Sequence, residues 1–470
     1  MTNLREDVWN QNIAAAANLI SRDIIPKWAL ASGNQLPCRK ILSKKNLTSA
    51  LPRFMQPAGL RNREPSPTSY LDALRGYAAL IVVFFHTFAT SDGVSQEWRH
   101  QPILNLLDAG KGMVALFFMI SGYALSHRLL ILNRQGDTDR LLNALASSTF
   151  RRYFRLYISC VAACLVTVPV IRQRGYNGFA NNLRKESLRD QMVDLFHDMV
   201  IFTNPIPSHL TGLTDKGFFH TKYLVQLWTI PVEYRGSIGL FLFILATCKM
   251  STRNRMMSTW AMILSCYIWK IQYAAEFLAG LFIADLSLSQ HPQRVHKQID
   301  RTQSPRYQSR QAIICWSGLL CVGLFLLARP KLGDQLGFLG AFPWAFLNSL
   351  TPFWWDGDAQ YWFWLGPGAF AVILAIDSCP TLQKPLNWRF SQYIGELSFG
   401  LYAVHPPFGF AVRDKVAGPI RKKYLGDSFL AHIPSFLVVT TCIIVMADYF
   451  ERLDRRSVAF SRWAQQKLFT

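Results

Sequence analysis

Ser69-Tyr-Leu-Asp72-Ala-Leu-Arg75-Gly-Tyr-Ala-Ala-Leu-Ile-Val-Val-Phe-Phe-His86-Thr-Phe-Ala89 is long enough to cross a bilayer, yet it carries an aspartate, an arginine and a histidine. At 100° per residue, the step from Arg75 to His86 comes to about 1100°, within roughly 20° of a whole number of turns, so both side chains share one helix face. They lie three turns apart, about 16 Å along the axis. Asp72 stands at i−3 from Arg75, close enough to pair with it at the membrane boundary. An ionisable group inside a spanning helix costs a few kcal/mol and normally faces a bundle interior or an aqueous cavity. The stretch therefore reads as one wall of an intramembrane site.

Working outward, half of the 470 residues are hydrophobic and 17% are charged, against about a quarter charged in soluble globular chains. Ten segments have the length and apolarity of spanning helices: 70–90, 112–132, 153–171, 224–247, 256–269, 272–289, 312–329, 362–378, 391–411 and 429–449. The expected fold is all-α, a polytopic membrane helix bundle. The pieces Met192 to Thr203 and Phe338 to Leu350 read as interfacial or re-entrant. Residues 1–68 form a polar N-terminal region with an amphipathic piece, Trp9 to Ala31, and the sequon Asn46-Leu-Thr48. The transmembrane domain is expected over 69–450, followed by a short basic tail over 451–470.

The formal charge of +21 first suggests a nucleic-acid binder. The lysines and arginines, however, fall mostly between the apolar segments, as the positive-inside rule requires, so the excess is topological. With a cytoplasmic N-terminus, the basic loops 128–155, 249–255, 294–310 and 384–389 and the tail 452–467 all lie inside, and the C-terminus is cytoplasmic too. One loop breaks the rule. Residues 412–428 carry Arg413, Lys415, Arg421, Lys422 and Lys423 on the expected outer side. The nine cysteines show no metal-type CxxC pairing and read as small core residues.

Several further motifs place polar residues in apolar runs. His86 has the charge change near neutral pH that suits a general base. Ser121-Gly122-Tyr123 puts small residues at a helix interface, where close packing and substrate contact are both open. Arg151, Arg152 and Arg155 precede the third segment; positive-inside statistics alone supply such residues, and phosphate recognition is the functional alternative. Glu233 and Arg235 follow Pro231 inside the fourth segment, and the carboxylate needs a partner, either an arginine or a histidine that it orients. Glu276 and Asp285 punctuate the sixth, with packing or solvation favoured for Glu276. Ser398, Tyr402 and His405 follow i, i+4, i+7 along one stripe of the ninth, and His405 before Pro406 suits a helix boundary as well as a site.

With these residues assembled, the chain resembles acyltransferase family 3, multi-pass membrane O-acyltransferases, and its fungal members in particular. The resemblance rests on Asp72-Ala-Leu-Arg-Gly-x-Ala-Ala with His86, Phe117-Phe-x-x-Ser-Gly-Tyr123, Arg151-Arg-x-x-Arg155, Trp228-Thr-Ile-Pro-Val-Glu233-Tyr-Arg and Ser398-x-x-Leu-Tyr-x-x-His405, in that order. It implies a ten-helix core that moves an acyl group, commonly acetyl, from acyl-CoA to a hydroxyl of a sugar, glycan, lipid or small metabolite. By the same resemblance Arg75 and His86 form an essential pair, and Arg152 and Arg155 match arginines linked to donor use. One departure is that Arg152-Tyr-Phe-Arg155-Leu-Tyr-Ile158 lacks the proline that usually follows. The implied site has His86, Glu233 and Arg75 as catalytic groups, Tyr123, Ser121, Tyr402 and His405 at the acceptor, and Arg151, Arg152 and Arg155 at the acyl-CoA co-substrate. No metal and no nucleic acid are expected. A proton-coupled transporter and an inactive acyltransferase-like scaffold are the competing readings, although the two-fold hydropathy symmetry of many transporters is not evident.

Overall fold

The computed structural model describes residues 51–56, 59–60, 66–88, 104–173, 181–205, 219–295, 308–330 and 342–469. The amphipathic piece Trp9 to Ala31, the sequon at Asn46, and parts of the loops 92–111, 294–310 and 330–361 lie outside them. Contacts divide the chain into a unit over Met1–Gly59, of which a single 3-10 turn at Arg53–Met55 is described, and a second over Leu60–Thr470 that holds everything below.

Among the described residues there are helices and no strands. The principal ones are α1 (Ser69–Thr87), α2 (Gly110–Arg134), α3 (Thr138–Arg172), α4 (Leu188–Phe202), α5 (Thr229–Thr247), α6 (Thr252–Ile268), α7 (Gln272–Gln290), α8 (Arg310–Leu327), α9 (Leu365–Ser378), α10 (Arg389–Val412) and α11 (Phe429–Leu468). Each of the ten expected spans coincides with one of them, and α4 is the additional element. Among the described residues six helical stretches are long and apolar enough to cross a membrane: Gly110–Arg134, Thr138–Arg172, Val225–Thr247, Arg310–Leu327, Ala359–Ser378 and Leu430–Leu468. The remaining four expected spans are α1, α6, α7 and α10. Of these, α1, α7 and α10 are rich in buried residues, and a helix sheathed by protein can carry Asp, Glu, Arg and His that a lipid-facing helix cannot. Conversely α8 turns Ile314 and Val322 outward, 69% and 53% exposed, as a lipid-facing helix should.

Glycines decide which helices touch. A Cβ on Gly76 would come within 2.5 Å of the Gly395 nitrogen, and one on Gly395 within 2.5 Å of the Asp72 carbonyl oxygen, so α1 and α10 cross backbone to backbone. Gln392 donates to the Ser69 carbonyl at 2.9 Å, and Gly409 packs on Thr87, so the two helices run parallel along their whole length. Gly122 of α2 and Gly280 of α7 make a second crossing, where a Cβ would overlap the Phe277 and Met119 carbonyl oxygens.

An ion cluster locks one end of the bundle. Asp285, fully buried, accepts from Arg134 of α2 at 2.6 Å and from Arg255 of α6 at 2.8 and 2.9 Å. Two guanidiniums on one carboxylate satisfy the hydrogen-bonding demands that a lone buried charge would leave unmet. α4 differs from the spans: Phe196 and Val193 are 71% and 61% exposed, while Asp194 on its other side binds Lys222 at 2.8 Å. This amphipathic form fits the interfacial expectation for Met192 to Thr203. α11 continues unbroken from Phe429 to Leu468, so the residues read as a tail are the end of a long helix.

Candidate active site

The parallel pairing of α1 and α10 builds the site at two levels. At the N-terminal end of α1, Arg75 Nε donates to Ser398 Oγ at 2.8 Å, and its guanidinium pairs with Asp72 at 3.4 Å. Arg155 of α3 is close enough to Arg75, Arg152 and Asp454 to interact with them electrostatically. Three arginines from two helices thus gather at one end of the bundle, at the end where α2 leads into α3. Arg155 is exposed, Arg151 is half-buried with Nε on the Ser147 carbonyl at 3.2 Å, and Arg152 is buried.

Arg152 has fixed partners. Its Nε donates to Ser237 Oγ at 2.8 Å and its Nη2 donates to Glu233 in a close ion pair, with side chains 10% and 13% exposed. Of the two partners open to Glu233 on sequence grounds, the structure supplies the arginine. Glu233 and Ser237 sit one turn apart on α5, so a single face of that helix grips the guanidinium.

Three turns along, the ring of His86 stacks on that of His405, with centroids 5.2 Å apart and planes at 29°. His405 is fully buried, inside α10 and not at its boundary, because the helix runs on through Pro406 and Pro407 to Val412. Two prolines in succession leave the carbonyls of Tyr402 and Ala403 without helical N–H partners. Gln226 Nε2 reaches the Ala403 carbonyl at 3.5 Å. The Nδ1–H of His405 faces the Leu401 carbonyl at 3.1 Å, which leaves Nε2 as the acceptor. That Nε2 is buried and has no hydrogen-bond partner. An orphaned acceptor beside a second imidazole is an unusual cost in a packed interior.

The other expected residues fall elsewhere. Tyr402 shares the level of the histidines, its ring 6.3 Å from that of His405 and 6.4 Å from that of Phe117, but its hydroxyl is occupied by Thr229 Oγ1 at 2.6 Å and by the Gln226 carbonyl. It fastens the start of α5 to α10. Tyr123 is fully buried and donates to Asp377 at 2.9 Å, where Tyr70 at 2.6 Å and Ser287 at 3.3 Å also converge. This hub ties α1, α2, α7 and α9 at the arginine end, away from the histidines. Ser121 is half-buried beside the Gly122 crossing. Sequence reading missed Asp377, although an aspartate closing the apolar run Ala369-Phe-Ala-Val-Ile-Leu-Ala-Ile376 carries the same signal as Glu233. Among the described residues no group of three His, Cys, Asp or Glu side chains stands ready to hold a metal ion.

Comparison with known proteins bears on what this geometry serves. An O-acetyltransferase of Phomopsis amygdali, PaAT-1, is 29% identical over 476 residues, covering 93% of this chain and 91% of that one. Acyltransferase R4 of a Phoma species is 22% identical, over 73% of this chain and 83% of its own. Acyltransferase clz18 of Cochliobolus lunatus is 24% identical, over 72% and 82%. No solved structure matches. The family model described as the acyltransferase domain matches residues 68–449, from the start of the α1 stretch to within α11, and the chain therefore belongs to the acyltransferase domain family and is an acyltransferase.

Proposed function

We propose that the chain is a membrane O-acyltransferase in which His86 is the general base, acyl-CoA the donor, with acetyl the favoured acyl group, and a hydroxyl of a small metabolite, sugar or glycan the acceptor. The observation that carries this reading is the His86–His405 pair, one ring with an orphaned buried nitrogen, three turns along α1 from a cluster of arginines on α1 and α3. Acyl-CoA has phosphates at one end and a thioester at the other, and the separation of about 16 Å along α1 suits such an elongated donor. Its phosphates meet Arg155, the exposed member of the cluster, with Arg75 and Arg151 beside it. Arg152, already held by Glu233 and Ser237, positions α3 against α5.

The acceptor hydroxyl donates to His86, and a second donor group of the acceptor meets the free Nε2 of His405, the role that the family resemblance implies for this residue. As the hydroxyl oxygen bonds to the thioester carbonyl carbon, His86 takes its proton; the C–S bond then breaks and the proton passes to the CoA sulfur, leaving ester and free thiol. The arginine end faces the cytosol, where the donor is made, in keeping with both termini cytoplasmic. The unit that does this work is 69–450. Membranes containing the full chain, incubated with radiolabelled acetyl-CoA and a cell extract, test the reading. Labelled ester is expected; label taken into vesicles without ester indicates a transporter, and neither indicates an inactive scaffold.

A further inference from the structure

The loop that breaks the charge rule closes over a cleft. At the end of the bundle away from the arginine cluster, the short helices Arg413–Ala417 and Gly418–Tyr424 and the start of α11 wall a cavity of about 530 Å³, with Thr87 and Phe88 as its floor. Those two residues directly follow His86. The walls are basic. Arg413, Arg421, Lys422 and His432 line the space, with Asp414 as the sole carboxylate among the lining residues. Arg421 is only 6% exposed, and its Nη1 donates to Asp427, which lies outward at 62% exposure, and to the Gly426 carbonyl at 2.8 Å. Arg413 Nη1 reaches the Thr87 carbonyl at 3.3 Å. His432 is 2% exposed, sits edge-on to Phe88 at 5.4 Å, and has no partner for either ring nitrogen.

Each feature alone has a structural explanation; together they do not. Arg413 pairs with Asp414 at 2.7 Å and Arg421 with Asp427, so the surplus around the hollow is Lys422 beside the histidine, a charge for which the positive-inside rule gives no reason on this side and which an entering anion balances. A buried imidazole without hydrogen bonds likewise lacks a partner. An anionic oxygen group seated between Arg421, Lys422 and His432 answers both.

We propose that this cleft binds the anionic group, carboxylate or phosphate, of the acceptor whose hydroxyl is acylated. This rests on the acyl-transfer reading above. Arg413 stands eight residues past His405 on a continuous helix, about 12 Å along its axis, and Thr87 is adjacent to His86. The acceptor is therefore an acid whose reacting hydroxyl lies on the order of 10 Å from its charge. Donor and acceptor enter from opposite ends of the bundle and meet at the histidines.

Two measurements test it. The full chain in neutral phosphatidylcholine nanodiscs is titrated with inorganic phosphate and with citrate, and in parallel is placed in nanodiscs containing phosphatidic acid, with thermal stability as the readout. A saturable rise with the soluble anions assigns a soluble acid, and a rise with phosphatidic acid alone assigns a lipid headgroup. In either case Lys422→Gln/His432→Gln is expected to weaken the response at least tenfold, and His86→Gln to leave it unchanged. No response to any of the three, or a response unaltered in the double variant, overturns the proposal. In the second, extract labelled through the enzyme from radiolabelled acetyl-CoA is passed over an anion exchanger, and the labelled product is expected to be retained. A labelled product that flows through also overturns it. An anion response without labelled product refutes the acyl-transfer reading while the cleft stands as an anion site.

Discussion

Changing Arg152 to glutamine strands Glu233, and the cost follows from the burial of the pair. Both side chains are about nine-tenths hidden, at 10% and 13% exposed, and Ser237 loses its donor at the same time. Removing one member of a buried pair costs about 3–5 kcal/mol, whereas replacing both with apolar side chains of similar volume is near neutral. The residual exposure puts the expected loss at the lower end, about 3 kcal/mol. The assay is melting of the detergent-solubilised full chain, read as a rank order, since a multi-helix bundle need not unfold in one step. Arg152→Gln and Glu233→Gln are each expected to melt well below the parent, and Arg152→Met/Glu233→Leu close to it. Arg155→Gln provides the contrast: its side chain is exposed, so melting is unchanged while the apparent KM for acyl-CoA rises about tenfold or more, as expected for loss of one charge-assisted phosphate contact. Equal melting of the single and double variants would refute the positioning role assigned to Arg152.

The helix crossings give a second expectation. Gly76→Ala or Gly395→Ala pushes α1 from α10, because the added methyl meets backbone at 2.5 Å on either side, and both activity and melting temperature should fall, whereas Gly239→Ala, with no atom within 4 Å of its Cβ position, should leave them intact. Asp285→Asn leaves Arg134 and Arg255 facing each other without a carboxylate, and a loss of about 3 kcal/mol or more is expected in the same melting assay; a melt within a degree of the parent contradicts the locking role.

The sharing of one face by Arg75 and His86 was legible because helical period alone decides it, and the parallel pairing of α1 with α10 now shows why that face matters. Its partner was not legible. Gly76 and Gly395 are two among 28 glycines, and nothing local distinguishes a glycine that admits another backbone from one that is merely small. Charge pairing was similarly half-visible. The need of Glu233 for a partner followed from its apolar surroundings, but the choice between a histidine and an arginine depends on how α3 and α5 are rotated, which only packing sets. The family resemblance put Tyr402 and Tyr123 at the acceptor; in the fold each hydroxyl makes a hydrogen bond between helices, with the Gln226 carbonyl and Asp377. Asp285 illustrates the reverse case, a charge in an apolar run whose two arginine partners come from the ends of two other helices, α2 and α6, and whose work is structural. The basic loop at 412–428 stood out in the sequence because its charge departs from a topological rule that needs no fold to apply; in the fold its Arg413, Arg421 and Lys422 line a cleft.

The proposal stands most directly on the imidazole of His86. The decisive quantity is labelled ester formed per mole of protein by His86→Gln and by the parent chain, in membranes where immunoblotting gives equal abundance. Loss of a general base predicts a fall of about 100-fold or more. Activity within a few-fold of the parent would contradict the account.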